Sequence, residues 1–129
     1  MNKNIRHFLR VSDLSLKEIN LLFERAAALK LKSKEGVFPP TLENRTLVML
    51  FEKHSTRTRL SFEIGIQQLG GNAIVIQMRD TQIDRGESIE DAAKVISRMC
   101  SAVMIRTFEH AKIENFATHS MVPIINGLT

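Results

Sequence analysis

The sequence predicts an α/β fold, a parallel sheet of about four strands with helices on both faces. Three observations carry that expectation. Apolar runs and amphipathic helical patterns alternate along the whole chain, as they do in strand–helix–strand units. The first apolar run, Leu47-Val48-Met49-Leu50-Phe51, has no polar interruption, which suits a parallel strand covered on both faces. The chain has 129 residues, enough for one domain, residues 1–129, with a real core.

Taken in order, Ser15-Leu16-Lys17-Glu18 reads as a capping box with Ser15 as N-cap. Leu16, Ile19, Leu22, Phe23, Ala26 and Leu29 follow at helical spacing, so a helix is expected over about 16–32. Gly36 and Pro39-Pro40 close it. Residues 45–51 form the first strand. The next helix starts at Ser55 and runs to about Leu69, stopped by Gly70-Gly71. Phe62, Ile66 and Leu69 share one of its faces, with Leu60 and Ile64 nearly opposite, at about 100° per residue. Two readings of that second stripe stand: a further contact surface, or half-covered side chains. Residues 72–78 are the second strand, and 79–86 a polar loop. Ser88 caps a third helix with Ile89, Ala92, Ala93, Ile96, Met99 and Cys100 on one stripe. A third strand ends at Arg106. A short helix over 108–118 turns Ile113, Phe116 and Ala117 inward. The run 121–125 is a fourth strand, and Pro123 suits an edge or a strand start, since it cannot donate to a ladder.

The bulk numbers narrow the function. Apolar residues make up 43% and charged residues 25%, as in ordinary globular proteins. There is no apolar run long enough for a membrane span and no signal-peptide core, so a cytoplasmic location is the default expectation. Net charge is +4; residues 1–36 hold eight Lys or Arg against four Asp or Glu, and the rest holds ten of each. That surplus reads as a solvated helix face. A nucleic-acid surface needs a clustered basic patch and stacking aromatics, and Trp and Tyr are missing. Cys100 is the single cysteine, so internal disulfides and cysteine metal clusters are excluded, and its apolar setting points to a structural thiol. His7, His54, His110 and His119 show no metal spacing with carboxylates.

The chemistry concentrates at Ser55-Thr56-Arg57-Thr58-Arg59. A strand that ends where a helix begins leaves free N–H groups at the helix start, and the helix dipole there favours a negative guest. Hydroxyls add donors, and an arginine adds a planar fork matched to phosphate or carboxylate oxygens. The stretch is neither a P-loop nor a Gly-rich dinucleotide turn. It reads as an oxyanion site, with phosphate the natural guest. In parallel sheets ligands gather at the carboxyl ends of the strands. The 81–87 loop and Arg106 fall at that same edge. Glu52 and Glu63 beside the turn are expected to tether the arginines.

These residues carry a resemblance. The stretch Phe51-Glu52-Lys53-His54-Ser55-Thr56-Arg57-Thr58-Arg59-Leu60-Ser61-Phe62-Glu63 resembles the carbamoyl-phosphate motif of the transcarbamoylase family. Its Phe-Glu-Lys lead-in and Gln82, where the aspartate branch places a lysine, are similar to the ornithine branch. So are Arg85-Gly86-Glu87-Ser88-Ile89 and the closing Val122-Pro123-Ile124-Ile125-Asn126-Gly127-Leu128-Thr129. Asp84 departs from the family's usual glycine, and Ala92-Ala93 and Cys100-Ser101 replace more polar residues.

The resemblance implies a carbamoyl-phosphate-binding domain that moves a carbamoyl group to ornithine, giving citrulline and phosphate, with no metal or organic cofactor. By matching positions, Ser55, Thr56, Arg57 and Thr58 bind the phosphate of carbamoyl phosphate. Arg57 and Arg106 are the catalytic pair that polarises the carbamoyl oxygen. Gln82 reaches the site of a neighbouring subunit in a homotrimer. The resemblance also implies that the family's His-Pro-x-Gln motif and its ornithine-binding C-terminal domain are absent from this sequence. Ornithine binding would then need that domain supplied, and the chain alone would be a truncated enzyme. Two alternatives stand beside this: a non-catalytic anion-binding or trimerising remnant, and an aspartate carbamoyltransferase.

Overall fold

The structure is a computed structural model and describes residues 4–129. Four parallel strands form one sheet in the order β2-β1-β3-β4, with β1 Thr46–Phe51, β2 Asn72–Gln77, β3 Ala102–Arg106 and β4 Ile124–Asn126. The helices are α1 Leu16–Lys34, α2 Thr56–Gln68, α3 Ile89–Ile96 and α4 His110–His119. The expected α/β architecture is therefore the observed one; most boundaries shift by a residue or two, but β4 starts three residues later than expected and α3 ends at Ile96, short of Met99 and Cys100.

The two central strands are the most apolar, and they are buried along nearly their whole length. Alternation along them divides the core. Val48, Leu50, Val103 and Ile105 face α3 and α4, meeting Ala93, Ile113, Phe116 and Ala117. Leu47, Met49, Phe51 and Met104 face the other way, onto Phe62 and Ile66 of α2. Helices thus cover both faces, two on one and α2 on the other. Pro123 immediately precedes β4, an edge strand, so its missing N–H costs no ladder bond.

The outer edge of β4 is not bare. Phe8 bridges to Ile125 in parallel; its N–H donates to the Ile124 carbonyl and its own carbonyl accepts from the Asn126 N–H, both at 2.8 Å. His7 Nδ1 accepts from the Ile124 N–H at 3.0 Å. That ring is half-buried, and burial lowers its pKa, with the Asp13 carboxylate opposing.

Two expectations are corrected. The predicted stripe of α1 is not a buried one: the capping box forms as expected, with Glu18 N–H donating to Ser15 Oγ, but the helix buries no residue. It lies off the sheet, and Leu29 meets Val37, Phe38 and Leu69 around a shallow hollow. Met99 is 72% exposed rather than inward. Helix α3 ends at Ile96 with Ser97 as C-cap, so helical spacing no longer governs residue 99. Cys100 does pack against the core; burial raises its pKa, as befits an inert thiol.

Candidate anion site at the start of helix α2

Parallel pairing sets Phe51 level with both Gln77 and Arg106. The carboxyl ends of β1, β2 and β3 therefore share one sheet edge, as the sequence pattern predicts. Helix α2 opens there. Ser55, the N-cap, is extended, and its Oγ accepts from the Thr58 N–H at 3.3 Å. The N–H groups of Thr56 and Arg57 lie in the first turn, where no intrahelical acceptor exists.

Arg106 crosses from β3 to this turn. Its Nη1 donates to Thr58 Oγ1 at 2.8 Å and to the Gly127 carbonyl at 3.1 Å. Its Nε is buried without a partner among the described residues. Because Thr58 Oγ1 accepts from Arg106, its own proton is left to donate outward. Thr56 and Arg57 are exposed, and the Arg57 side chain makes no ion pair or hydrogen bond among the described residues. Arg59 instead pairs with Glu63 at 3.2 Å, the tether expected of Glu63.

The donor set brought together is then two open backbone N–H groups, the hydroxyls of Ser55, Thr56 and Thr58, and the guanidinium of Arg106; Arg57 follows in the same turn, exposed, with no contact among the described residues that places its guanidinium in the set. Among the described residues no carboxylate pairs with Arg106 or with the hydroxyls of Ser55, Thr56 and Thr58. The helix dipole adds to the same sign. Concavities flank it on both sides: one of about 250 Å³ beside Ser55, Thr56 and His54, and one of about 360 Å³ between Thr58 and 126–129. Such a set has the donors and the sign of charge to hold an oxyanion. Among the described residues no group of three or more His, Cys, Asp or Glu could hold a metal ion.

Gln82 stands apart. It is exposed in the loop after β2, its carbonyl accepting from Arg85 and Glu87 N–H, and it lines neither concavity. Glu52 does not tether an arginine side chain. Its carboxylate accepts from Thr107 Oγ1, from the Phe108 N–H at 3.4 Å and from Lys112 Nζ at 2.7 Å. Burial works to raise its pKa, yet the bonds from Lys112, Thr107 and Phe108 outweigh burial and hold it below the usual value. Gly127 is a site residue that the sequence pattern does not single out. A Cβ there would collide with Met104 Sδ, and no local motif announces an approach between distant segments.

Comparison with known proteins now fits this geometry to a family. Residues 6–129 match the model described as aspartate/ornithine carbamoyltransferase, carbamoyl-P binding domain. The chain belongs to that family. The ornithine carbamoyltransferase of Ralstonia pickettii is 57% identical over 126 residues, which is 98% of this chain and 41% of the relative. The crystal structure of the Burkholderia thailandensis ornithine carbamoyltransferase superposes with a TM-score of 0.92 at 55% identity, covering 97% of this chain and 43% of that one. The Pyrococcus furiosus enzyme superposes at 0.91 with 42% identity, covering 95% and 39%. The chain thus spans about two-fifths of the length of the family members it matches.

Proposed function

We propose that this chain binds carbamoyl phosphate at the start of α2 and forms one half of an ornithine carbamoyltransferase site. The observation that carries the reading is the Arg106–Thr58 bond, which brings a cation from β3 onto the phosphate-type cradle of α2. Ser55, Thr56, Arg57 and Thr58 would grip the phosphate, and Arg57 and Arg106 would draw on the carbamoyl oxygen. The ornithine amine attacks the carbamoyl carbon, the carbon–oxygen bond to phosphate breaks, and the amine sheds a proton. Charge gathers on the carbamoyl oxygen and then on phosphate. Preorganised donors lower that barrier electrostatically, and holding both substrates together contributes through proximity. The names of the matched relatives, together with Gln82, favour ornithine over aspartate as acceptor.

The reading extends to a cytoplasmic homotrimer in which Gln82 serves a neighbouring copy. Its exposure in the loop after β2 supports that role. Leu60 and Ile64, 49% and 47% exposed on the outer side of α2, offer apolar surface for a further contact.

The test is calorimetric titration of the purified chain with carbamoyl phosphate, alongside Arg57→Ala and Thr58→Val. Loss of a hydrogen bond to a charged group costs about 1.5–3 kcal/mol, so each change should weaken binding roughly tenfold or more. Equal affinity in all three proteins would refute the site. Citrulline formation from carbamoyl phosphate and ornithine, above the Arg57→Ala background, would show turnover. Binding without citrulline would mark the chain as a binding module, and activity with aspartate instead would move it to the other branch.

A further inference from the structure

We propose that Glu52 and Thr107 are positioning residues for Arg106, acting through its backbone from the opposite face of the sheet. The proposal rests on the reading of Arg106 as a carbamoyl-phosphate residue, and it concerns what holds that residue in place.

The geometry follows from strand alternation. Phe51 and Met104 point to the α2 face, whereas Leu50 and Ile105 point to the α3–α4 face. One step on, Glu52 and Thr107 continue the second set and Arg106 the first. Arg106 therefore reaches Thr58 on the α2 side, while Glu52 meets Lys112 of α4 behind it.

Glu52 grips the β3 exit at three successive points. Its N–H donates to the Arg106 carbonyl at 2.8 Å, carrying the β1–β3 ladder one bond past the last strand pair. Its carboxylate takes the Thr107 hydroxyl and the Phe108 N–H on Oε2. Oε1 takes Lys112, which ties the same carboxylate to α4. Thr107 is fully buried, so its hydroxyl has no water to fall back on, and leaving it unpaired would be costly.

The clamp answers a specific problem. At the far end the Arg106 guanidinium is fixed only through Nη1, and its Nε has no partner among the described residues. A long side chain so held has its reach set by where its Cα lies. Locking residues 106–108 from behind fixes that point without spending any donor that faces the anion. The Glu52–Lys112 pair also lines a cavity of about 340 Å³ with Ile83 and Asp84 of the loop carrying Gln82.

The variants are Glu52→Gln and Thr107→Val, both near-isosteric, with Thr107→Ser as the conservative rescue. Gln puts an NH2 donor in place of one carboxylate oxygen, so either Lys112 or the Thr107–Phe108 pair loses the oxygen that faces it. Two readouts are taken on the 129-residue chain, well below each variant's melting temperature. The first is the nitrogen–proton NMR signal of Arg106 Nε, assigned by its loss in Arg106→Lys. It should be protected from exchange in the parent chain and in Thr107→Ser, and lose that protection in Glu52→Gln and Thr107→Val. The second is carbamoyl phosphate affinity, expected to fall about tenfold in those two variants and to recover in Thr107→Ser, as a small misplacement of a binding group requires. Unchanged Nε protection and affinity, with only a lower melting temperature, would show a merely structural cluster and overturn the proposal. If the parent chain binds no carbamoyl phosphate, the functional reading fails, and the Nε signal still judges the clamp.

Discussion

Gly127 illustrates how a single residue joins fold and site. Its N–H donates to the Ile105 carbonyl at 2.8 Å, and its own carbonyl accepts from Arg106. Any side chain there strikes the buried Met104 sulfur. Gly127→Ala should cost about 1–3 kcal/mol through overpacking, read as a lower urea midpoint. It should also weaken carbamoyl phosphate binding, because the carbonyl that steadies Arg106 must shift. A variant with parent-like midpoint and affinity would refute this close approach. Ser55, Thr56, Arg57 and Thr58 are legible in the sequence because they are consecutive. Glu52 is legible as important, but the sequence points it to the wrong partner, since Thr107, Phe108 and Lys112 lie 55, 56 and 60 positions away.

Helix α2 gives an internal contrast at the scale of an element. A methyl group added at Gly65, within the helix, would find nothing within 4 Å, whereas a Cβ on Gly71, just after it, would lie 2.9 Å from the Arg45 carbonyl and 3.0 Å from the Leu42 carbonyl. Gly65→Ala should stabilise the chain by about 0.8–1 kcal/mol, the helix propensity difference. Gly71→Ala should destabilise it, because backbone atoms have no rotamer with which to give way. Opposite signs in urea titrations are expected, and the same sign for both would contradict the turn geometry. The segment ahead of α1 makes a second testable element. His7 must be neutral at Nδ1 to accept from Ile124, and its folded pKa is lowered from 6.5. The unfolded chain therefore binds the proton more readily. This contribution is fully present above about pH 6.5 and is lost as pH falls through the lower folded value. The melting temperature should drop between neutral and mildly acid pH, and His7→Gln should flatten that part of the profile. An unchanged slope in the variant would exclude His7 as its origin.

At the scale of the molecule, the two faces of the sheet are unequally covered. Two helices shield one face, while on the other α2 leaves an apolar groove of about 610 Å³ beside Leu47, Phe62, Ile66, Ala102 and Ile125. Exposed apolar surface of this kind promotes association. The native chain should therefore enhance the fluorescence of anilinonaphthalene sulfonate in phosphate buffer before any unfolding, and Gly65→Leu, which fills part of the groove, should reduce it. Fluorescence that appears only on melting would mean the groove is closed in solution. Helix α1 belongs to the same picture, since its Leu16, Leu22 and Phe23 are exposed.

Local features were legible in the order of residues alone: element order, the capping serines Ser15, Ser55 and Ser88, the inward Ile113, Phe116 and Ala117, and the donor-rich turn with its family resemblance. Those follow from spacing and chemistry within a few residues, where helical and strand periods are strict. Tertiary structure decided the pairings across the chain. It set Arg106 on Thr58, gave the Gly127 carbonyl to the guanidinium, gave Glu52 to Thr107 and Lys112, and left α1 without a buried residue. Strand order and register fix which distant residues meet, and those depend on packing of the whole sheet, so no window of sequence could have supplied them.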